Sequence, residues 1–361
     1  MEVSPFPYQG PLQPTEVRGR DNLIDDLIDR MSSRRVTALL GPRRYGKTSV
    51  LRRVAAELTE VSTVWVDLYE VTSMADVAVR LDNALSATSG PFAAAARHFA
   101  VALSLNLGVV RMELTGPARN RPDPALSLQS LLEVLVKTAG RQPTLLVLDE
   151  FSSISHVPGA AGALRTALQH HYNDLGIVFA GSHPSMMRAL FTAREEPFYG
   201  QADLVEIGPL ADSAVEEIVG LGFGSTGRDA GHVAGLISSF TSGHPQRTMQ
   251  LADACWRRTP AGTAAGAETW SAALDQVRQA TMAGMERLYS GFEQGERAVL
   301  RALARSGSVY GAEAALLGLS AGTATYARRA LLDKGDLVDT GSGIAVVDPL
   351  LADWLRRRFP I

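Results

Sequence analysis

Eight residues decide the fold of this chain: Gly41-Pro42-Arg43-Arg44-Tyr45-Gly46-Lys47-Thr48. Two glycines separated by four residues and followed by Lys-Thr form a phosphate-binding pattern. The glycines let the backbone curl so that its N–H groups point at phosphate oxygens. The lysine reaches the β- and γ-phosphates of a nucleotide, and the threonine hydroxyl binds Mg²⁺. The pattern therefore predicts a nucleotide-binding loop, and a glycine-rich turn without a ligand is the alternative.

The segments around this loop have the pattern that such a loop requires. Residues 36–40 form an apolar run, which predicts a buried parallel strand. Residues 47–58 predict a helix, and residues 63–68 predict a second buried strand. Strand, loop, helix and strand make a βαβ unit. The helix adds the partial positive charge of its N-terminus to the loop.

An acidic pair follows a third apolar run. Residues 144–148 predict a buried strand, and Asp149 and Glu150 stand at its carboxyl end. In open α/β sheets this end faces the ligand crevice. We expect Asp149 to hold Mg²⁺ through water and Glu150 to polarise an attacking water. The alternative is a solvated pair of acids at the end of a strand.

A fourth predicted strand, residues 177–182, ends in Ser182. A small polar side chain at this position contacts a γ-phosphate or orients a water molecule, or it simply ends the strand. The predicted catalytic residues are therefore Lys47, Glu150 and Ser182, and Thr48 and Asp149 are the predicted Mg²⁺ ligands.

The pattern along the chain predicts three parts. Residues 1–210 predict an α/β core with a parallel sheet, preceded by a proline-rich extended lead-in over residues 1–20. Residues 103–114 alternate as a hairpin does. Residues 211–285 show helical periodicity only. Residues 286–361 predict three short helices and a Gly-Ser hairpin, which is the outline of a winged helix.

Composition narrows the function classes. The chain has 361 residues, 46% of them hydrophobic, and a formal net charge of −3, which excludes a cationic surface over the whole molecule. The single cysteine, Cys255, indicates a reducing compartment. We see no secretory signal and no apolar run long enough to span a membrane. We therefore expect a cytoplasmic protein without a membrane partner.

Eight short motifs, taken in their order along the chain, carry a family resemblance. They are Val17-Arg18-Gly19-Arg20-Asp21, the loop Gly41–Thr48, Val66-Asp67-Leu68, Leu148-Asp149-Glu150-Phe151, Ala180-Gly181-Ser182, Pro197-Phe198-Tyr199-Gly200, Gly243-His244-Pro245 and Asp348-Pro349-Leu350-Leu351-Ala352-Asp353-Trp354-Leu355. This set resembles the archaeal-type ATPases of the STAND class, which are signal-transduction P-loop ATPases related to AAA+ proteins. The resemblance spans nearly the whole chain, and the phosphate loop is its most specific part.

The resemblance implies ATP and Mg²⁺ as the bound groups and a helical lid over residues 211–285. It places the segment Val17–Arg20 against the adenine and the Gly-x-Pro turn over the base. Arg247, after this turn, reaches the phosphates or lies on the surface. The residues so implied to contact nucleotide are Val17, Gly19, Arg20, Gly41, Pro42, Arg43, Arg44, Tyr45, Gly46, Lys47, Thr48, Ser49 and Pro245.

One position departs from the family. Gln201 stands where relatives commonly carry arginine, and a neutral amide does not replace the fixed charge of a guanidinium. This replacement puts rapid hydrolysis in doubt, unless Arg188, Arg194 or Arg165 compensates.

Two uses of the C-terminal unit stay open. The predicted recognition helix and the terminal arginine run suit phosphate and base contacts, through Thr323, Thr325, Tyr326, Arg328, Arg329, Lys334, Arg356, Arg357 and Arg358. Residues 291–361 have nine basic and eight acidic side chains, however, so a packing module or a protein partner is the alternative.

Three functional hypotheses follow from these observations. The first is a nucleotide-dependent switch with weak ATPase activity. The second is a DNA-binding regulator in which the nucleotide is structural. The third is a homo-oligomeric ring hydrolase that needs an arginine supplied in trans.

Overall fold

The computed structural model describes residues 2–97, 123–310, 312–340 and 343–360. Within these residues, five parallel strands form one sheet in the order β2-β3-β4-β1-β5. The hairpin predicted over residues 103–114 lies outside the described residues. The strands are β1 Thr37–Leu40, β2 Ser62–Asp67, β3 Thr144–Asp149, β4 Gly176–Gly181 and β5 Asp203–Glu206.

Helices cover both faces of this sheet, which is why its central strands β1, β3 and β4 are buried along their whole length. One face packs in a core with Leu27 and Val54, and the other packs with Leu85 and Leu135. This arrangement confirms the predicted α/β fold with a parallel sheet. The helices of this part are α1 Asp21–Ser32, α2 Lys47–Glu57, α3 Met74–Ala87, α4 Pro124–Ala139, α5 Ala160–Leu168 and α6 Pro184–Thr192.

The part of the chain that follows β5, from residue 211, is helical, as its periodicity predicts. Its helices are α7 Asp212–Gly224, α8 Val233–Thr241, α9 Pro245–Trp256 and α10 Ala267–Ser290. Helix α9 begins with proline, whose missing N–H costs nothing in the first turn of a helix. Helix α10 runs on past residue 285, where the sequence places the end of the lid.

The C-terminal unit has the predicted three helices and hairpin of strands, and a final helix follows them. Its elements are α11 Gln294–Ser306, α12 Ala312–Leu316, α13 Ala321–Lys334, β6 Leu337–Asp339, β7 Ile344–Val346 and α14 Pro349–Arg358. Strands β6 and β7 pair antiparallel. This order agrees with a winged helix, and the assignment itself stays a prediction.

The helical part and the C-terminal unit share one hydrophobic core. It runs from Phe6 in the lead-in through Val219 and Leu251 to Leu300 and Leu355. These parts are therefore packed together as one body beside the sheet. Helix α13 also packs against α6 of the core. In the part of the chain that the structure describes, no helix combines the length and apolar character needed to cross a membrane.

Candidate functional site

The loop between β1 and α2 needs its glycines for two different reasons. Gly46 has φ +88°, in the left-handed region that glycine tolerates best. At Gly41 the limit is space, because a Cβ there would lie 2.3 Å from Cγ2 of Ile207. Arg44 also has a left-handed backbone, with φ +68°. The loop is thus sharply curled, as a phosphate cradle must be.

Lys47 is held inside this loop. Its Nζ donates to the carbonyl oxygens of Gly41 at 2.8 Å and Pro42 at 2.9 Å, and 4% of the residue is exposed. Burial lowers the pKa of the Lys47 ammonium to about 8. An ammonium that burial has desolvated gains from an anionic partner, and the loop supplies the place for one.

Thr48 and Asp149, predicted as Mg²⁺ ligands, are brought together. The Thr48 hydroxyl donates to Oδ2 of Asp149 at 2.9 Å. Burial raises the pKa of Asp149, and the Thr48 hydrogen bond opposes that shift. Among the described residues there is no cluster of three or more His, Cys, Asp or Glu side chains suited to a metal. These two oxygen donors fit Mg²⁺, which commonly takes its other ligands from phosphates and water.

Glu150 and Ser182 meet at the ends of β3 and β4. The Ser182 hydroxyl donates to Oε1 of Glu150 at 2.5 Å, and the Ser182 N–H donates to Oε2 at 3.3 Å. Glu150 has a left-handed backbone with φ +52°, a strained conformation that clusters at functional sites. Ser182 therefore contacts Glu150 directly, and the sequence did not predict this pair.

A cavity of about 470 Å³ lies over the loop, and its wall contains most of the predicted nucleotide contacts. They are Val17, Arg20, Arg44, Tyr45, Gly46, Lys47, Thr48, Ser49 and Pro245, and the predicted catalytic residues Glu150 and Ser182 also line the cavity. This volume, between the sheet edge and α9, is of the size usual for small-molecule sites.

Other predicted residues support the site from outside its wall. Gly19 lies against α7, since a Cβ there would be 2.7 Å from Cβ of Ala214. The Arg43 guanidinium lies 5.6 Å from the ring centroid of Tyr69. Gly41 and Pro42 contribute the carbonyls that hold Lys47.

Part of the cavity wall was not predicted from the sequence. The lead-in folds over the loop, where the Leu12 N–H donates to Oγ of Ser49 at 3.0 Å. The lid follows it, because Nε2 of Gln246 donates to the carbonyl of Tyr8 at 3.2 Å. The proline-rich composition indicated an extended segment but not its packing place. The missed wall residues are Pro7, Tyr8, Gly10, Pro11, Leu12, Glu16, Val50, Leu210, Ile218, Gln246 and Met249.

The position of Arg247 contradicts both alternatives that the sequence left open for it, a phosphate contact and a place on the surface. It is 6% exposed and neither lines the cavity nor lies on the surface. Its guanidinium makes two hydrogen bonds to the carboxylate of Asp348, which caps the N-terminus of α14. This pair holds the pKa of Asp348 below its usual value, against the opposing effect of burial. Arg247 therefore joins the lid to the C-terminal unit.

Gln201 and Arg188 make their contacts outside the cavity. Its amide donates to the carbonyl of Tyr199 at 3.4 Å, and Arg188 pairs with Glu206. Within the described residues, the cavity wall includes Arg18, Arg20 and Arg44 but none of the arginines proposed to compensate for Gln201.

Tyr45 of the loop contacts His244 of the lid. Their rings stand edge to face with centroids 5.1 Å apart. Burial lowers the pKa of His244 to about 4, so the imidazole is neutral at neutral pH. His244 accepts from the Arg247 N–H at 3.4 Å. A short path of contacts therefore joins the loop to Arg247 and Asp348.

Comparisons with known proteins agree with this geometry. Residues 29–188 match the family model described as an AAA domain. No curated protein sequence gives a significant match. A Walker-type ATPase of Pyrococcus abyssi superposes with a TM-score of 0.72 at 17% identity, covering 98% of this chain and 99% of that one.

Two further solved structures share the fold more distantly. The Aeropyrum pernix ORC2 protein in its ADP form gives a TM-score of 0.54 at 14% identity, with 98% of both chains covered. The ORC1 protein of the same organism, solved in complex with DNA, gives 0.51 at 14% identity, over 94% of this chain and 93% of that one. The sheet, the loop and these likenesses show that the core has a P-loop α/β fold.

Proposed function

We propose that the chain is a Mg²⁺-ATP-dependent switch, which binds the nucleotide between core and lid and hydrolyses it slowly. The observation that carries this proposal is the cavity whose wall joins loop residues Lys47 and Thr48 to the lid residue Pro245. A ligand in this cavity touches both bodies and so biases their arrangement.

The loop binds the phosphates through its curled backbone and the buried Lys47. Thr48 and Asp149 hold Mg²⁺, which neutralises phosphate charge when bound. The apolar part of the cavity, with Val17 and Met249, receives the base. The AAA family match over residues 29–188 supports ATP as the nucleotide.

Hydrolysis depends on Glu150, which acts as the general base toward a water molecule. In the described structure both of its carboxylate oxygens accept hydrogen bonds from Ser182. These two hydrogen bonds restrain the carboxylate beside Ser182, so an attacking water must compete with the serine for it. Slow turnover follows from this contact, and the neutral Gln201 is consistent with it.

The switch acts through the contacts that join the site to the C-terminal unit. Tyr45 contacts His244, and Arg247 pairs with Asp348. Close packing near Gly335 places the C-terminal unit against the carbonyl of Ser182. Because lid and C-terminal unit share one core, a change at the nucleotide moves them together.

ATP turnover by the purified protein, measured over a series of protein concentrations, tests this proposal. We expect slow turnover that Lys47→Ala and Glu150→Gln both abolish, with ATP binding lost in Lys47→Ala and kept in Glu150→Gln. Lys137→Ala is the matched control, because this lysine is exposed and lies 3.8 Å from Glu133. ATP binding that survives Lys47→Ala would contradict the assigned site. A specific rate that rises with protein concentration would instead favour a ring hydrolase.

A second candidate is duplex DNA binding by the C-terminal unit. Helix α13 exposes Thr325, Tyr326 and Arg329, and the ORC1 protein that shares the fold was solved in complex with DNA. Other predicted contacts are occupied, because Lys334 pairs with Glu296 and Arg357 pairs with Asp353.

Salt dependence separates this second candidate from the switch. DNA binding predicts a duplex affinity that falls steeply with salt and a shallower salt slope in Arg329→Ala. It also predicts that this affinity survives Glu150→Gln. If the protein does not bind duplex DNA even at low salt, the second candidate is contradicted, and a protein partner is the alternative for the C-terminal unit.

A further inference from the structure

Residues 2–12 form a strap that joins the lid to the core across the cavity over the phosphate loop. Phe6 is buried within the lid, whereas Leu12 packs against the core of the sheet. The strap between these two anchors contributes to the cavity wall, together with Leu12 itself, through Pro7, Tyr8, Gly10, Pro11 and Leu12. The strap therefore closes one side of the cavity.

The ring of Phe6 is inserted at a place on helix α7 where a glycine leaves room for it. A Cβ on Gly222 would lie 2.3 Å from Cζ of Phe6, a separation at which the two atoms overlap. The centroid of the Phe6 ring also lies 5.7 Å from that of Phe223. Full burial of a phenylalanine side chain shifts an equilibrium by about ten- to a hundredfold. Phe6 therefore fixes the strap on the lid.

Two polar contacts add to this attachment on the lid. The exposed carboxylate of Glu2 accepts two hydrogen bonds from the guanidinium of Arg228, at 3.1 Å and 2.7 Å. Nε2 of Gln246 donates to the carbonyl of Tyr8 at 3.2 Å. An ion pair with an exposed partner contributes little in water, and one neutral hydrogen bond contributes modestly. The insertion of Phe6 thus supplies most of the stability of the closed strap.

The other end of the strap is fixed to the core. The Leu12 N–H donates to Oγ of Ser49 at 3.0 Å, and the carbonyl of Pro14, just beyond the strap, accepts from Arg53 at 3.1 Å. The chain then continues through the buried Val17 into α1. Because this end is held by contacts with α2 and by the chain itself, the strap opens at its lid end. Opening therefore requires Phe6 to leave its place on α7.

We propose that the strap gates nucleotide exchange and that the insertion of Phe6 into the lid is its closed state. The inference rests on the proposed nucleotide site. A nucleotide bound between Lys47 and Pro245 has the strap beside it, so that entry and exit both require the strap to open. Opening steps of this kind limit turnover in many enzymes. The gate then sets how long ADP stays bound after hydrolysis, and so how long the switch keeps its state.

The association and dissociation rates of radiolabelled ADP, measured by rapid filtration, test the gate. A gate limits both directions, so Phe6→Ala should raise both rates about ten- to a hundredfold and leave the Kd nearly unchanged. Gly222→Ala should act in the same way from the other side of the contact, because its new Cβ displaces the ring. Gly220→Ala in the same helix is the matched control, since a Cβ there meets nothing within 4 Å. It should keep the wild-type rates.

The outcomes separate the gate from the function on which it rests. A wild-type protein that binds neither ADP nor ATP overturns both. ADP binding with wild-type rates in Phe6→Ala and Gly222→Ala overturns the gate and leaves the nucleotide site intact. Faster dissociation with an unchanged association rate also overturns the gate, because Phe6 then supports only the affinity. Circular dichroism checks the fold, and Phe6→Leu, with a smaller rise in both rates, replaces Phe6→Ala if alanine disturbs the lid.

Discussion

The hydroxyl of Ser182 donates a hydrogen bond to Oε1 of Glu150 across 2.5 Å, and so links the ends of two neighbouring strands. Ser182 is 3% exposed, and its main-chain N–H donates to the second carboxylate oxygen. Glu150 is the predicted general base, and Ser182 is the residue predicted to contact phosphate or water. The serine thus holds the acid. In the proposed mechanism the pair acts as a unit, and we expect the rate of hydrolysis to depend on its release.

Ser182→Ala should raise the rate of ATP turnover about ten- to a hundredfold, because it removes one charge-assisted hydrogen bond that restrains the Glu150 carboxylate. The N–H contact remains, so the release is partial. Steady-state phosphate release measures the effect. The double variant Ser182→Ala/Glu150→Gln should be as inactive as Glu150→Gln alone. A fall in turnover for Ser182→Ala would show that the hydroxyl assists catalysis instead.

The Arg247–Asp348 pair should be important for stability. The side chains are 7% and 19% exposed, and removing one partner leaves an uncompensated buried charge. Arg247→Ala should therefore lower the free energy of unfolding by about 3–5 kcal/mol. Urea unfolding measures it, with the exposed Lys137→Ala as a control that changes stability by less than about 1 kcal/mol.

The double variant sharpens this test. Arg247→Ala combined with Asp348→Asn removes both charges, so it should lose less stability than the sum of the two single variants. Strict additivity would mean that the two side chains do not interact energetically in solution.

Two glycines of the C-terminal unit make a matched pair. Gly335 and Gly307 each end a helix in the left-handed conformation, with φ +75° and +68°. A Cβ on Gly335 would lie 3.1 Å from the carbonyl oxygen of Ser182, whereas a Cβ on Gly307 meets nothing within 4 Å. Gly307→Ala should cost only backbone strain, about 1 kcal/mol.

Gly335→Ala should cost the same strain and in addition push the C-terminal unit away from Ser182. We expect it to change ATP turnover, which Gly307→Ala leaves at the wild-type rate. Phosphate release and urea unfolding of both variants check this. Equal effects of the two substitutions on turnover would argue against contact between this unit and the site.

Asp336 should make stability depend on pH. Burial raises the pKa of this carboxyl to about 6, with Glu296 acting in the same direction and Lys334 and Arg43 opposing it. The folded state therefore binds more protons than the unfolded state between about pH 4 and pH 6. Stability from this group is present at low pH and is lost as pH rises through about 6, by about 1 kcal/mol between pH 5 and pH 7.

Asp336→Asn isolates this effect. The amide does not titrate, so the variant should lack this fall in the free energy of unfolding between about pH 5 and pH 7. Urea unfolding of both proteins at the two pH values gives the difference. An identical pH dependence in the variant would assign the effect to other groups.

Patterns that span only a few residues predicted the strands of the sheet and the phosphate loop. The apolar runs gave the strands of the sheet, and the spacing of Gly41, Gly46 and Lys47 gave the loop between strand and helix. Strand order in a parallel sheet places carboxyl ends side by side, and the structure accordingly brings Thr48 within 2.9 Å of Asp149. The roles of these residues in binding and hydrolysis stay predictions.

What the sequence by itself determined is the α/β fold and the phosphate loop, because periodicity and glycine spacing act over a few residues. Only the tertiary structure decided that Gln246 meets Tyr8, that Ser182 holds Glu150 and that Arg247 pairs with Asp348. Each of these contacts joins segments far apart along the chain. These residues meet only when helices and strands that are distant in sequence pack on a common core, so short-range sequence patterns do not predict the contacts.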